Sequence, residues 1–578
     1  MRKTKDLKQF VLPVVLGAVV LLSACERESV QQTAGETASA VADMVLINGG
    51  IYTVDADRSW AEAAAIRDGV FIAVGSNSEI EALIGEETRT IDLDGKMAVP
   101  GFHDAHVHPT MGGYALLGCS LADQESIEAI IDKMTACAQQ GGDSWLEGHA
   151  FNLALFGQDG PNKNLLDAID ADRPIILWGS DGHSAWANSG ALKLAGITAE
   201  TLDPPLGVIE RNPDGEPSGT LRETAQEMVR AVMPSLTLES NIEALDEGIQ
   251  YLNSVGITSY IDAWVGLEDY QAYQAIDRAG RLTARVVTSL TYESGFAKHY
   301  EDEWEQVLAG RKAYASERLN HESVKLFLDG VLEGETAALL EPYVGVHAHS
   351  GELILNPEEL EAAVIRFDAM GLQVHMHAIG DRAVRAGLDA IEAARQANGV
   401  TDNRHHISHL QMIHVDDIER FSSLDTAANF QALWAEPDEW IMELNLPVLG
   451  EERVQGMYPI GSVERAGGRI VGGSDWNVSS ADPLLAFEVA IRRQDPLSGE
   501  GPVLNERERV SLSTMIDAYT INAAWLMHQE DKVGSIEVGK RADIAVLDRN
   551  LFEIPATEIS DARVLLTLLD GEVIYSAR

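Results

Sequence analysis

Apolar residues along this chain fall into two rhythms. From residue 43 to 96, short β-type runs (Met44–Ile47, Ile51–Val54, Ala63–Ile66 and Val70–Val74) alternate with the turn sequences NGG, DADR and RDG. The same rhythm returns over 532–578, in Val533–Asp548 and Val564–Tyr575. Neither stretch has enough strands to be stable alone, so the pattern predicts one small β-sandwich shared between the two ends. Between them the rhythm changes to strand followed by helix. Apolar, β-rich runs occur at Met97–Phe102, Ile257–Ile261, Ala284–Leu290, Val324–Leu328, Leu372–His377, His405–His409, Ala427–Leu433 and Arg469–Gly473. Helical segments such as Pro357–Met370, Arg382–Asn398 and Pro483–Arg493 intervene. Eight such runs predict an α/β fold, a closed (β/α)8 TIM-type barrel over 97–531. The stretch 110–241, after the first run, is too long for a βα loop and predicts an inserted subdomain over the barrel mouth.

The first 24 residues follow a third pattern. A basic start precedes an apolar run from Phe10 to Leu22, too short to span a bilayer, and small residues follow. This predicts an export signal. The sequence Leu22-Ser23-Ala24-Cys25 resembles the lipobox of bacterial lipoproteins, which implies cleavage before Cys25 and lipidation of its thiol. The polar residues up to 42 then suit a tether. Glu26, rather than Asp, after the cysteine implies the outer membrane, facing the periplasm, in a cell that has one. On this reading the chain meets a membrane only through its lipid.

Composition narrows the partners. The 578 residues are 45% apolar and 23% charged, which is globular, and the formal net charge of −48 argues against nucleic acid and against electrostatic docking on anionic lipid. A small-molecule substrate remains, and a homo-oligomer is left open. Of three cysteines none forms a CxxC, which argues against a thiolate zinc site, and Cys119 and Cys137 read as two unpaired thiols rather than a bridge.

Candidate chemistry gathers where barrel strands end, the rim that carries active sites in this architecture. The first run leads into VPGFHDAHVHP, in which His106 and His108 share a strand face. The fourth holds Lys325, the fifth ends in His375-Met376-His377, the sixth in His409, and the eighth in Gly473-Ser474-Asp475. Each has a bland alternative: a core histidine, a solvated lysine, a turn aspartate. Together they form a set of metal-ligand types on one rim. His103 falls to strand packing or to a supporting place behind the ligands.

These residues, in this order, resemble the amidohydrolase superfamily. PGFHDAHVHP, DGHSAWANSGAL, VKLFLDG, HMHAIGDRAV and GSDW are similar to its amidohydrolase-3 branch, which includes enzymes like N-substituted formamide deformylase. The resemblance implies one or two divalent ions, zinc foremost. His106, His108 and Asp475 would hold the more buried one, and His377, in preference to His375, would hold the second with His409. Lys325 would bridge them as a carboxylated lysine; the alternative is a plain ammonium paired with Asp329 in a one-metal enzyme. Asp475 would act as general base and then acid, and His183 would hold or polarise the substrate. His375, Trp186 and Glu223 are weaker substrate-contact candidates, with core packing and a first-turn helix acid as the alternatives for the last two. Trp434, Trp440 and Trp476 are candidate pocket walls, with packing the default. The implied activity is metal-dependent hydrolysis of a non-peptide C–N bond in an amide, N-substituted formamide or cyclic amide. An esterase or lactonase is the first alternative and a non-catalytic ligand-binding lipoprotein the second. A deaminase is disfavoured because Ala378-Ile379-Gly380-Asp381 does not match the HxxE-type acid that the superfamily's deaminases carry at strand five.

Overall fold

The computed structural model describes residues 41–139, 144–292, 301–345, 349–498 and 501–577. The export signal, the tether up to residue 40 and the lipobox Cys25 lie outside the described residues.

Eight parallel strands form the centre: β1 Phe102–Val107, β2 Ile257–Val265, β3 Arg285–Thr291, β4 Leu319–Phe327, β5 Gln373–Ala378, β6 His406–His409, β7 Ala427–Phe430 and β8 Ile470–Gly472. They pair in sequence order, and nearly all their residues are buried, which is why they read as apolar runs without alternation. The seam between β8 and β1 is closed by backbone just past β8. The Asp475 N–H donates to His106 O at 2.8 Å, and the His108 N–H donates to Trp476 O at 2.7 Å. A side chain joins in, Asp104 Oδ1 accepting from the Ser474 N–H at 3.0 Å.

The first barrel strand needs a correction. Met97–Pro100 is not part of the barrel but pairs with Gly50–Ile51 and with Ile544–Leu547 in an outer sheet. Pro100-Gly101 turns the chain, and only then does β1 begin. Gly101 is required there because a Cβ would stand 2.3 Å from Thr258 Oγ1 on the neighbouring strand.

That outer sheet takes six strands, in the order Glu572–Ser576, Val564–Leu569, Ile544–Leu547, Met97–Pro100, Gly50–Tyr52 and Trp60–Ala61. A four-stranded sheet runs Val70–Gly75, Ala63–Arg67, Met44–Ile47 and Arg89–Asp92. One apolar cluster joins the two, with Leu46, Ile66 and Phe71 from the start of the chain against Ile544, Val546 and Leu568 from its end. Burying each such side chain contributes about 1.5–3 kcal/mol, so the ends of the chain hold one another.

After β1 come helix α1 (Pro109–Leu117) and a six-stranded sheet over residues 119–223, in the order Gly207–Arg211, Pro217–Glu223, Ser184–Ala187, Ile175–Gly179, Leu146–Phe151 and Cys119–Ser120. Helix α2 (Leu238–Ser254) then packs on α1 and leads into β2. Cys119 and Cys137 are corrected too: they form a disulfide across 18 residues. The helix Ile127–Ala138 lies against the strand pair Cys119–Ser120 and Leu146–Phe151, which brings the two Cα atoms to 6.2 Å, within bridging reach. Nothing in the spacing of the two cysteines shows that approach.

Candidate metal centre

The C-terminal rim of the barrel gathers its polar side chains because parallel strands all end there. Alternation along β1 turns Asp104 and His106 to the same side, and His108 follows at the N-cap of α1. Pairing register then stacks the partners, with Lys325 beside His375, Phe327 beside His377 and Ala378 beside His409. Asp475 arrives on the seam described above. Gly473 permits this, since a Cβ there would meet the His106 backbone nitrogen at 2.8 Å.

The resulting cluster is tight. Asp475 Oδ1 lies 2.8 Å from His108 Nε2 and 3.3 Å from His106 Nε2, while Oδ2 is 3.7 Å from His409 Nδ1. Ring centroids of His409 stand 4.6 Å from His106 and 4.5 Å from His377. Lys325 Nζ is 3.4 Å from His106 Nε2 and 4.9 Å from the centroid of the Phe327 ring. Burial, helped by the Lys325 charge, lowers His106 to about 3 and holds His377 and His409 well below their ordinary value. The imidazoles are therefore neutral and offer lone pairs. Burial alone would raise Asp475, but the imidazoles of His106 and His108 outweigh it and keep the carboxylate ionised. Burial lowers Lys325 to about 7.

A divalent ion fits this donor set. Ligand atoms of His106, His108 and Asp475 lie within 4.8 Å of one another. Both ring nitrogens of His409, buried, take no hydrogen bond among the described residues, and neither does His108 Nδ1. An unmet buried polar atom costs about 1–3 kcal/mol, a cost that metal ligation at the His409 lone pair removes.

Of the residues singled out from sequence, the rim brings together His106, His108, Lys325, His377, His409 and Asp475, with His183 facing them from the inserted sheet. The centroids of His183 and His377 are 5.5 Å apart. The Lys325–Asp329 ion pair is absent among the described residues. Asp329 instead accepts three backbone N–H groups, from Ala338, Ile379 and Gly380, and ties the loops after β4 and β5 together.

Three residues do not reach the cavity. His375 sits behind His106, with Nε2 2.8 Å from His106 Nδ1 and 2.9 Å from Ser408 Oγ, and so braces the His106 ring rather than facing the cavity. Trp186 is fully buried in the core of the inserted sheet, edge-on to Phe151 and Phe156. Glu223 lies behind His183, where Oε2 is 2.7 Å from His183 Nδ1 and Oε1 accepts from Thr336 Oγ1 at 2.8 Å.

Burial alone would lower His183, but Glu223 outweighs it and pushes the imidazole up to about 9. In the unfolded chain the value is about 6.5. The folded value is the higher one, so the pair's stabilisation is complete below pH about 6.5 and is lost as pH rises through about 9. Denaturant unfolding of wild type and Glu223→Gln should therefore show a gap that narrows by roughly 3 kcal/mol between pH about 6 and about 10. Parallel profiles refute the pairing.

Above the cluster lies a cavity of about 200 Å³. Trp264, Phe327, Trp434 and Trp440 wall it; Trp434 stacks flat on His409, its ring centroid 5.7 Å away. Trp476 does not line it and stacks on Tyr251 instead. Sequence reading missed Asp104, which binds both the His106 and Ser474 N–H groups, and the polar wall of Glu333, Gln411, Glu436 and Asn445. Asp104 had a signal, its place in HDAHVH; the wall residues sit on loops and have none. A wider depression of about 820 Å³ lies away from the histidines, lined by charges that pair among themselves, such as Arg318 with Asp570 at 2.7 Å.

The amidohydrolase family pattern matches residues 89–575. The protein LONG AFTER FAR-RED 3 of Arabidopsis thaliana is 31% identical over 559 residues, 93% of this chain and 92% of its own. N-substituted formamide deformylase of Arthrobacter pascens is 27% identical over 550 residues, 92% of this chain and 98% of its own. Among solved structures, an uncharacterized metal-dependent hydrolase from Pyrococcus furiosus is similar with a TM-score of 0.66 and 27% identity, covering 88% of this chain and 99% of that one.

Proposed function

The chain belongs to the amidohydrolase family, and from that premise we propose that it is a metal-dependent hydrolase of a non-peptide C–N bond, in a small amide, N-substituted formamide or cyclic amide. The observation that carries the reading is the convergence of His106, His108 and Asp475, with His409, whose ring nitrogens take no hydrogen bond among the described residues, under a walled cavity on the barrel rim. His106, His108 and Asp475 would hold one ion, and His377 and His409 would hold a second. Zinc suits these imidazole and carboxylate donors. A bound ion supplies Lewis acidity and a water that ionises near neutral pH.

The chain's own residues do the rest. Asp475 takes the proton of the attacking water and returns it to the leaving nitrogen. His183, kept cationic by Glu223, donates a hydrogen bond to the carbonyl oxygen as charge grows there. The aromatic walls exclude bulk water, and the small cavity selects a short acyl or amine part. His375 keeps His106 in the tautomer that presents Nε2. Lys325 is proposed as a carbamate: burial favours its neutral amine, the form that adds to CO2 and releases a proton.

A panel of formamides, amides, esters and lactones, run before and after chelation with metal content measured alongside, tests this. Cleavage of the C–N substrates should vanish with the metal and return on its restoration. Chelator-sensitive cleavage of esters alone transfers the site to the esterase alternative.

Export as a lipoprotein through Cys25 is part of the same proposal. The lipobox-like sequence supports it, and the Cys119–Cys137 disulfide suits an oxidising compartment. Cys25→Ser should move the protein from the membrane to the soluble fraction; an unchanged distribution refutes lipidation.

A further inference from the structure

Besides the ligand rim, the cavity is lined by side chains that carry acceptor oxygens. Glu333 comes from the loop after β4, Gln411 from the loop after β6, and Glu436 and Asn445 from the segment after β7. Two of these side chains are more than nine-tenths buried, Gln411 at 7% exposure and Asn445 at 2%. Gln411 Oε1, Asn445 Oδ1 and Glu436 Oε2 are all buried and accept no hydrogen bond among the described residues. The cations that act on this wall are committed elsewhere: His183 pairs with Glu223 at 2.7 Å, Arg222 with Glu210 at 2.7 Å, and Arg492 with Glu488. Among the described lining residues there is no arginine, the single lysine, Lys325, belongs to the ligand rim, and His183 is held by Glu223.

Buried acceptors without donors are costly, and three from two separate segments lining one space call for a ligand that brings several N–H groups at once. Trp440 and Tyr458 beside them offer aromatic faces, which also attract cations. We propose that this wall is a cation-recognition subsite and that the substrate carries a protonated nitrogen group, an ammonium or guanidinium, on the part held away from the scissile bond. The proposal rests on the hydrolase reading for the word substrate; the subsite itself needs only the wall. Burial pushes Glu436 up to about 8 and Glu333 to about 7, so a cation arriving near neutral pH lowers both and releases protons.

Calorimetric titration of the metal-loaded protein with n-butylguanidinium chloride and with n-butylurea tests it. The two have the same shape, and the guanidinium, permanently charged at neutral pH, has no lone pair for a metal. The cation should bind at least about tenfold more tightly, the worth of one or two charge-assisted hydrogen bonds. That ratio should fall toward one in Glu436→Gln and in Glu333→Gln and be partly kept in Glu436→Asp, each checked for an unchanged melting profile. Equal or tighter binding of the urea, no measurable binding of the cation, or a ratio that survives both Gln variants overturns the proposal. Binding needs no turnover, so the two readings fail separately. A cation preference without amide hydrolysis refutes the hydrolase alone, and hydrolysis without the preference refutes the subsite alone.

Discussion

Asp475→Asn should lower kcat by about 10³–10⁴-fold while most of the bound metal stays in place. The amide has nearly the volume of the carboxylate and keeps one oxygen for ligation. Its backbone N–H still donates to His106 O, so the seam of the barrel is untouched. What is lost is a site able to take a proton: an amide oxygen is far too weak a base to accept one from water. The charge lost is also the one that His106 and His108 surround at 3.3 and 2.8 Å. Metal analysis and steady-state kinetics on the same sample separate the two roles. Near-normal turnover with full metal refutes the proton-transfer role. Loss of metal in step with loss of rate reduces Asp475 to a ligand.

Lys325→Ala should cost roughly 10²–10³-fold in rate and weaken metal retention, because a group that fixes the cluster is removed. The nature of that group decides what restores activity. If Lys325 works as a carbamate, a short carboxylate such as propionate, soaked into the space left by the side chain, should recover part of the rate, and propylamine should not. If it works as an ammonium, the order reverses. The geometry favours the first outcome: Lys325 is buried, its amine is lowered to about 7, and among the described residues no carboxylate forms an ion pair with it. Rescue by propylamine alone refutes the carbamate.

How much of this was legible from sequence depended on whether the physics was local. The eight barrel strands are buried on both faces, so most show as β-rich runs without polar alternation, though β1 (FHDAHV) and β6 (HISH) carry buried polar residues throughout. Met97–Phe102 is one apolar run shared by two sheets, and only the bend at Pro100-Gly101 separates them. Ligand types at strand ends were legible because a parallel barrel sends every strand end to one rim. Depth was not. His375 and His377 share strand parity, and period two cannot say that one lies behind His106 while the other faces the cavity. Trp186 and Glu223 belong to the inserted sheet, whose packing on the barrel no short motif encodes. The acceptor wall comes from three loops with no common spacing, and the disulfide from a helix folding back on a strand.

The seam between the first and last barrel strands also sets a clock. Asp104 and Ser474, whose hydrogen bond helps to close the barrel, are 370 positions apart, and the proposed metal ligands His106 and Asp475 flank that bond. At a synthesis rate of about 5–20 residues per second, His106 and His108 emerge some 20–70 s before their carboxylate partner exists. For that interval the chain carries an incomplete chelator, two histidines without the acid that sets its geometry. Any ion bound then is chosen by intrinsic affinity, an order in which copper and nickel stand high, rather than by the finished site. On the proposed ligand set, the docking of the last strand is the moment at which the finished site can first select its ion. Cells that make this chain face a problem of timing: keeping the early histidines clear of the wrong ion until the barrel shuts.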